Sequence, residues 1–188
     1  MLAQFAIRLM CGNSLMLALM PRKTVASGFF RVQMLILLGL GVLATLATGK
    51  GDDSGLRTAQ IGLSVAVAVA AFFGSVMWTL ERRAAGVVVM WGIFIASTAL
   101  LLVITRRMTP AESNFAWVAA SEFCSSALLG GALTAMLLGH SYLTTPTMSI
   151  TPLSRLNLQF GAAVLARLIL SAISLSVAWP SSTNQTLL

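Results

Sequence analysis

Six stretches of roughly twenty mostly apolar residues occupy nearly the whole of this 188-residue chain. Each matches the length of helix, about 20 residues, that crosses the roughly 30 Å hydrocarbon core of a bilayer. They run over about 2–20, 29–48, 59–80, 84–105, 115–138 and 156–179. None alternates polar and apolar residues as the strands of a membrane barrel do. With 57% hydrophobic and 9% charged residues, against about 25% charged in a soluble domain, a soluble fold could not present a polar exterior. The expected fold is all-α: a polytopic transmembrane bundle of six spans forming one integral membrane domain over 1–188. The first span carries Arg8 and Asn13 and is the weakest; without it the count is five.

Two further patterns support the division into spans. The five prolines (Pro21, Pro110, Pro146, Pro152 and Pro180) fall between or after the stretches, where a missing backbone donor costs nothing. Trp78, Trp117 and Trp179 stand at span ends, as interfacial aromatics do, and only Trp91 lies deeper. The amino terminus lacks a basic leader and an A-x-A cleavage site, so it reads as a retained first span.

The net charge of +7 would suggest nucleic-acid binding in a soluble chain. Here the basic residues flank the spans in pairs (Arg22-Lys23, Arg82-Arg83, Arg106-Arg107), so the expected partner is the lipid headgroup layer and not nucleic acid. Connectors after spans one, three and five hold Arg22, Lys23, Arg31, Arg82, Arg83 and Arg155; those after spans two and four hold Lys50, Arg57, Arg106 and Arg107. The positive-inside rule then puts the odd connectors in the cytoplasm and both termini outside, in the plasma membrane.

Small residues recur every four positions in two spans: Gly62, Ala66, Ala70 and Gly74 in the third, Ala127, Gly131, Ala135 and Gly139 in the fifth. Residues four apart share a helix face, and small side chains there admit a second backbone. Both ladders are expected to be helix-packing faces, toward an internal helix or another subunit.

Arg8, Glu122 and Arg167 lie well inside spans, where an ionised side chain costs about 2.5–3.5 kcal/mol on insertion scales unless compensated. At 1.5 Å per residue, Arg8 lies roughly 18 Å from Met20, Arg167 roughly 17 Å from Leu156 and Glu122 roughly 24 Å from Leu138. An intramembrane Arg8–Glu122–Arg167 cluster is expected, the arginines at one level and the carboxylate a turn and a half away. The alternative leaves Arg8 in a frayed first helix, Glu122 hydrated near one surface and Arg167 snorkelling or paired alone.

His140, the single histidine, stands where the fifth span is expected to end. It is a candidate helix cap or a ligand to haem or another metal. The apolar connector 139–155 reads as a segment lying on the membrane surface. Asp52-Asp53 reads as a solvated turn, and Asn184-Gln185-Thr186 matches a glycosylation acceptor. Cys11 and Cys124 sit in spans without metal or disulfide spacing. There is no Walker loop, nucleophile elbow, zinc-protease or dinucleotide motif, and His140 is roughly 27 Å along the helix from Glu122. No catalytic residue, resident metal or cofactor is therefore assigned. The expectation is a non-catalytic accessory or assembly subunit, or a small oligomeric transporter, with other membrane subunits or its own copies as partners. The alternatives are a redox component holding haem or quinone near His140, or a proton-coupled carrier using Glu122.

Overall fold

The computed structural model describes residues 1–21, 24–48, 55–110, 114–144 and 150–183. They form six helices: α1 (Leu2–Leu19), α2 (Ser27–Leu46), α3 (Gly55–Thr79), α4 (Arg83–Met108), α5 (Phe115–Thr144) and α6 (Thr151–Thr183). All six are long and apolar enough to cross a membrane. The chain has the architecture and composition of an α-helical integral membrane protein.

Local chemistry sets the helix ends. Met20 is extended (ψ 141°), as the residue before Pro21 must be. α3 and α4 are joined by a tight turn in which Glu81 takes the left-handed conformation (φ 55°). The Arg82 N–H donates to Met77 O (3.0 Å) and the Glu81 N–H to Trp78 O (3.3 Å). That is the paired bonding of a Schellman terminus, whose left-handed position usually belongs to glycine.

α1 packs against α2, α4 and α5; α2 and α4 each pack against α3; α6 rests on α5. Helices α1 to α4 therefore form a ring, with α5 laid outside against α1 and α6 outermost. The first span is, as expected, the weakest by composition, being the shortest and sharing the lowest mean hydropathy with α5, yet it is the most enclosed. Of its apolar window 61% is buried, more than in any other span, whereas none of the α6 window is. α1 has no first-turn acid or last-turn base, so nothing in its termini favours it as an isolated helix. Its place comes from tertiary packing.

The ring is closed at the odd-connector end by Phe30 of α2 stacked on Trp78 of α3, with ring centroids 4.3 Å apart and planes within 14°. Gly86 of α4 makes room for the indole: a Cβ there would lie 2.9 Å from Trp78 Cε2. Trp78 is thus an interior residue, 2% exposed, rather than an interfacial anchor. Trp117 is half-buried and donates its indole N–H to Ser174 Oγ (3.0 Å). The Trp179 side chain lies outside the described set.

The connector expected over 139–155 is mostly helix. α5 runs six residues past Leu138 and α6 begins five before Leu156, leaving 145–149 outside the described residues. Pro152 occupies the first turn of α6, where its missing donor is harmless. Pro180 falls in the last turn of α6 instead of after it. Asp52-Asp53 and Asn184-Gln185-Thr186 also lie outside the described residues.

Candidate functional site

Consecutive crossings make α1 and α5 run in the same direction, and their contacts confirm it: Arg8 meets Glu122, Gly12 meets Ser126 and Gly130, and Met16 meets Gly131. The closest approach is at Gly12 and Gly130. A Cβ on Gly12 would overlap the Ser126 carbonyl and lie 2.9 Å from Gly130 N, and one on Gly130 would lie 2.5 Å from Gly12 Cα. Two glycines are required because backbone here touches backbone.

One turn toward the amino terminus, on the same face, Arg8 grips Glu122 side-on. Nε donates to Oε2 and Nη2 to Oε1, occupying both carboxylate oxygens. The bidentate fork is the strongest geometry open to this pair. The side chains remain 28% and 17% exposed. Arg8 is thus held in the bundle and not in a frayed helix.

Arg167 is placed elsewhere. Its Nη1 donates to Ser121 O (3.1 Å) and to Ser121 Oγ, the residue preceding Glu122, and makes no ion pair among the described residues. It lines an open cleft of ≈ 380 Å³ between α5 and α6 with Ser121, Leu170, Ser171, Ser174 and Leu175. The geometry is therefore an Arg8–Glu122 pair with Arg167 beside it on α6. The expected depth offset of Glu122 disappears because α1 and α5 start level and α5 overhangs α1 at the other end, so the two helices do not end at one depth. Counted from the amino-terminal ends of two parallel helices, Arg8 and Glu122 lie at nearly the same depth, six and seven residues in.

One turn deeper along α1 lies a polar network. Asn13, Gln33 and Thr134 are fully buried. Thr134 Oγ1 donates to Asn13 Oδ1 (2.7 Å), and Asn13 Nδ2 donates to Gln33 Oε1 (3.0 Å). Beside it the hydroxyls of Ser14 and Ser97 are hydrogen-bonded (2.9 Å), tying α1 to α4. Among the described residues Gln33 Nε2 is buried without a partner. At the even-connector end of the ring, Arg107 donates to Gln60 Oε1 and Gln60 Nε2 donates to Thr48 Oγ1 (2.9 Å). These networks were missed as sites by sequence reasoning. Their signal was present: Asn and Gln inside apolar spans are the residues that hydrogen-bond across helices in lipid.

The small-residue ladders divide. On α3, Gly62 and Ala66 are exposed, Ala70 is half-buried and Gly74 is buried, where a Cβ on Gly74 would lie 2.9 Å from Met34 Sδ. The buried face of α3 is Gln60, Ser64, Val67, Ala71, Gly74, Ser75 and Trp78. On α5, Ala127 and Gly131 are buried, Ala135 and Gly139 half-buried. Gly131 accommodates Phe160 of α6 and Met16 of α1, while the backbone crossing falls one residue earlier, at Ser126 and Gly130. His140 lies within α5, exposed, four residues before the helix ends. Among the described residues no three His, Cys, Asp or Glu side chains gather as a metal site would require.

The fold and the ion-paired interior define a six-helix bundle with membrane-span composition. Comparison of the chain with protein-family models, with curated proteins and with solved structures gives no match.

Proposed function

We propose that the chain is a non-catalytic accessory or assembly subunit of a larger plasma-membrane complex, joined to it through α6. The observation that carries this reading is the state of that helix. It rests on α5, none of its residues from 157 to 176 is buried, and Leu158, Leu165, Leu168, Ile169 and Ile173 are exposed along it. Within the same helix stands Arg167, whose guanidinium is bonded to Ser121 and to no carboxylate among the described residues. A guanidinium in a span is compensated best by an opposite charge, and a partner helix bearing Asp or Glu at that depth would supply one. Burial in lipid alone does not drive helices together, so a polar contact and close packing must.

The test is extraction in mild detergent followed by native electrophoresis and mass spectrometry, with wild type beside Arg167→Gln. Wild type is expected to migrate in an assembly containing a second membrane protein, and the variant to lose about tenfold in occupancy, equivalent to about 1.4 kcal/mol. Migration of wild type as a monomer would refute the reading. Migration as a homo-oligomer would favour a small transporter instead.

A further inference from the structure

A second cleft, of ≈ 740 Å³, opens at the odd-connector end of the bundle, far from the α5–α6 site. It is lined by Ala18, Leu19, Met20 and Pro21 of the α1 terminus, Arg83, Ala84 and Val87 of α4, and Arg155 of α6. Three elements meet around it. The carboxy end of α1 forms one wall; the amino ends of α4 and α6 form the others. Gln159 of α6 reaches Leu19 O (3.4 Å), joining α6 to α1 beside the cleft.

The electrostatics are one-sided. Arg83 is the first residue of α4, and Arg155 stands in the second turn of α6. Neither helix has an acid in its first turn. Helix amino termini carry partial positive charge and favour anions, so arginine there is normally unfavourable. Both arginines are exposed, and neither has an ion-pair partner among the described residues. The other walls are apolar, and Leu19 is 47% exposed. The cleft thus combines two free guanidinium groups at the level of the helix ends with an apolar surface running toward the span interior.

We infer that this cleft binds an anionic phospholipid, its phosphate held between Arg83 and Arg155 and its upper acyl chain against Leu19, Ala84 and Val87. Guanidinium pairs recognise phosphate bidentately, and basic pockets between spans take lipid headgroups. The volume lies within the range of small-molecule sites, about 300–1,000 Å³. Free inorganic phosphate shares the headgroup chemistry but has no use for the apolar wall.

The protein, purified in mild detergent, should be titrated with phosphatidylglycerol and with phosphatidylcholine of identical chains, and bound lipid counted by native mass spectrometry. Wild type is expected to bind phosphatidylglycerol at least about tenfold more tightly. R83Q and R155Q should each weaken it about fivefold and the double variant about thirtyfold, on a scale of one near-surface basic charge each. Phosphatidylcholine, whose phosphate is offset by its own choline cation, should lose much less. R31Q, removing an exposed arginine near the same membrane face but outside the cleft, should match wild type. All these side chains are exposed, and thermal midpoints report that the variants remain folded. Equal binding of the two lipids by wild type, full retention by the double variant, or an equal loss in R31Q would each overturn the inference. Displacement of phosphatidylglycerol by millimolar inorganic phosphate would overturn the lipid assignment in favour of a free-phosphate site.

Discussion

Replacing Gly12 by alanine adds a single methyl group at the place where α1 and α5 touch. In the present structure that carbon would overlap the Ser126 carbonyl and stand 2.5 Å from its carbon and 2.9 Å from Gly130 N. Carbon–carbon contact is comfortable at about 3.5–4.0 Å, so the two backbones must open by about 1–1.5 Å. Neither can yield locally, because both are helical and hydrogen-bonded. The opening would also act one turn away, where Arg8 must keep both carboxylate oxygens of Glu122. Overpacking of this kind costs up to about 3 kcal/mol, and alanine returns about 1 kcal/mol through helix propensity. The net loss is about 2 kcal/mol. For a chain of this size that corresponds to a fall of roughly 4–8 °C in Tm, at about 2–4 °C per kcal/mol. Gly62→Ala is the matched control, because a Cβ there meets nothing within 4 Å; its Tm should stay level or rise. Gly130→Ala should resemble Gly12→Ala, and the double variant should lose less than the sum, since helices opened for one methyl partly accommodate the second. The assay is tryptophan-fluorescence melting in detergent. A Gly12→Ala midpoint within 1 °C of wild type, or equal losses for Gly12→Ala and Gly62→Ala, would refute the backbone crossing.

Two other perturbations follow from the same geometry. Glu122→Gln leaves the Arg8 guanidinium without its anion and should destabilise by about 3 kcal/mol, whereas Arg8→Met with Glu122→Met should recover much of that loss. A double-mutant cycle read by Tm that shows no coupling would mean the pair is incidental. Glu81→Gly relieves a left-handed residue, worth about 1–2 kcal/mol, against an entropy cost near 1 kcal/mol. Its Tm should rise by a few degrees; a fall would show that the Glu81 side chain contributes something beyond the turn.

Much of the bundle could be read from the chain, and the exceptions have physical causes. Span number and position follow from long apolar runs, because lipid demands them of each helix separately. Span ends are less legible: the Gly139–Arg155 stretch contains two prolines and many hydroxyls, yet α5 and α6 continue into it because Pro152 sits harmlessly in a first turn. The burial of α1 was not legible, since a polar residue lowers hydropathy whether it faces water or a partner helix. Asn13, which weakens the span on any hydropathy scale, is the residue that bonds α1 to α2 through Gln33 and to α5 through Thr134. The small-residue ladders illustrate a different limit. A four-residue repeat marks a face but not its neighbour, and on α5 the backbone crossing lies one position from the repeat. Arg8 and Glu122 could be named from their cost in lipid and expected within reach of each other, while their level placement required knowing that α5 starts level with α1 and overhangs it at the other end.

The parallel contact between the first and fifth helices also has a temporal side. Arg8 and Glu122 are separated by 114 residues of chain. At a synthesis rate of about 5–20 residues per second, roughly 6–23 s pass between the emergence of the arginine and that of its carboxylate. Throughout that interval the most enclosed helix of the finished bundle has neither its counter-ion nor the glycine surface against which it packs. α1 can pack against α2 and α4 as they are made, but its seam with α5 and the pairing of Arg8 close only once most of the chain has been made.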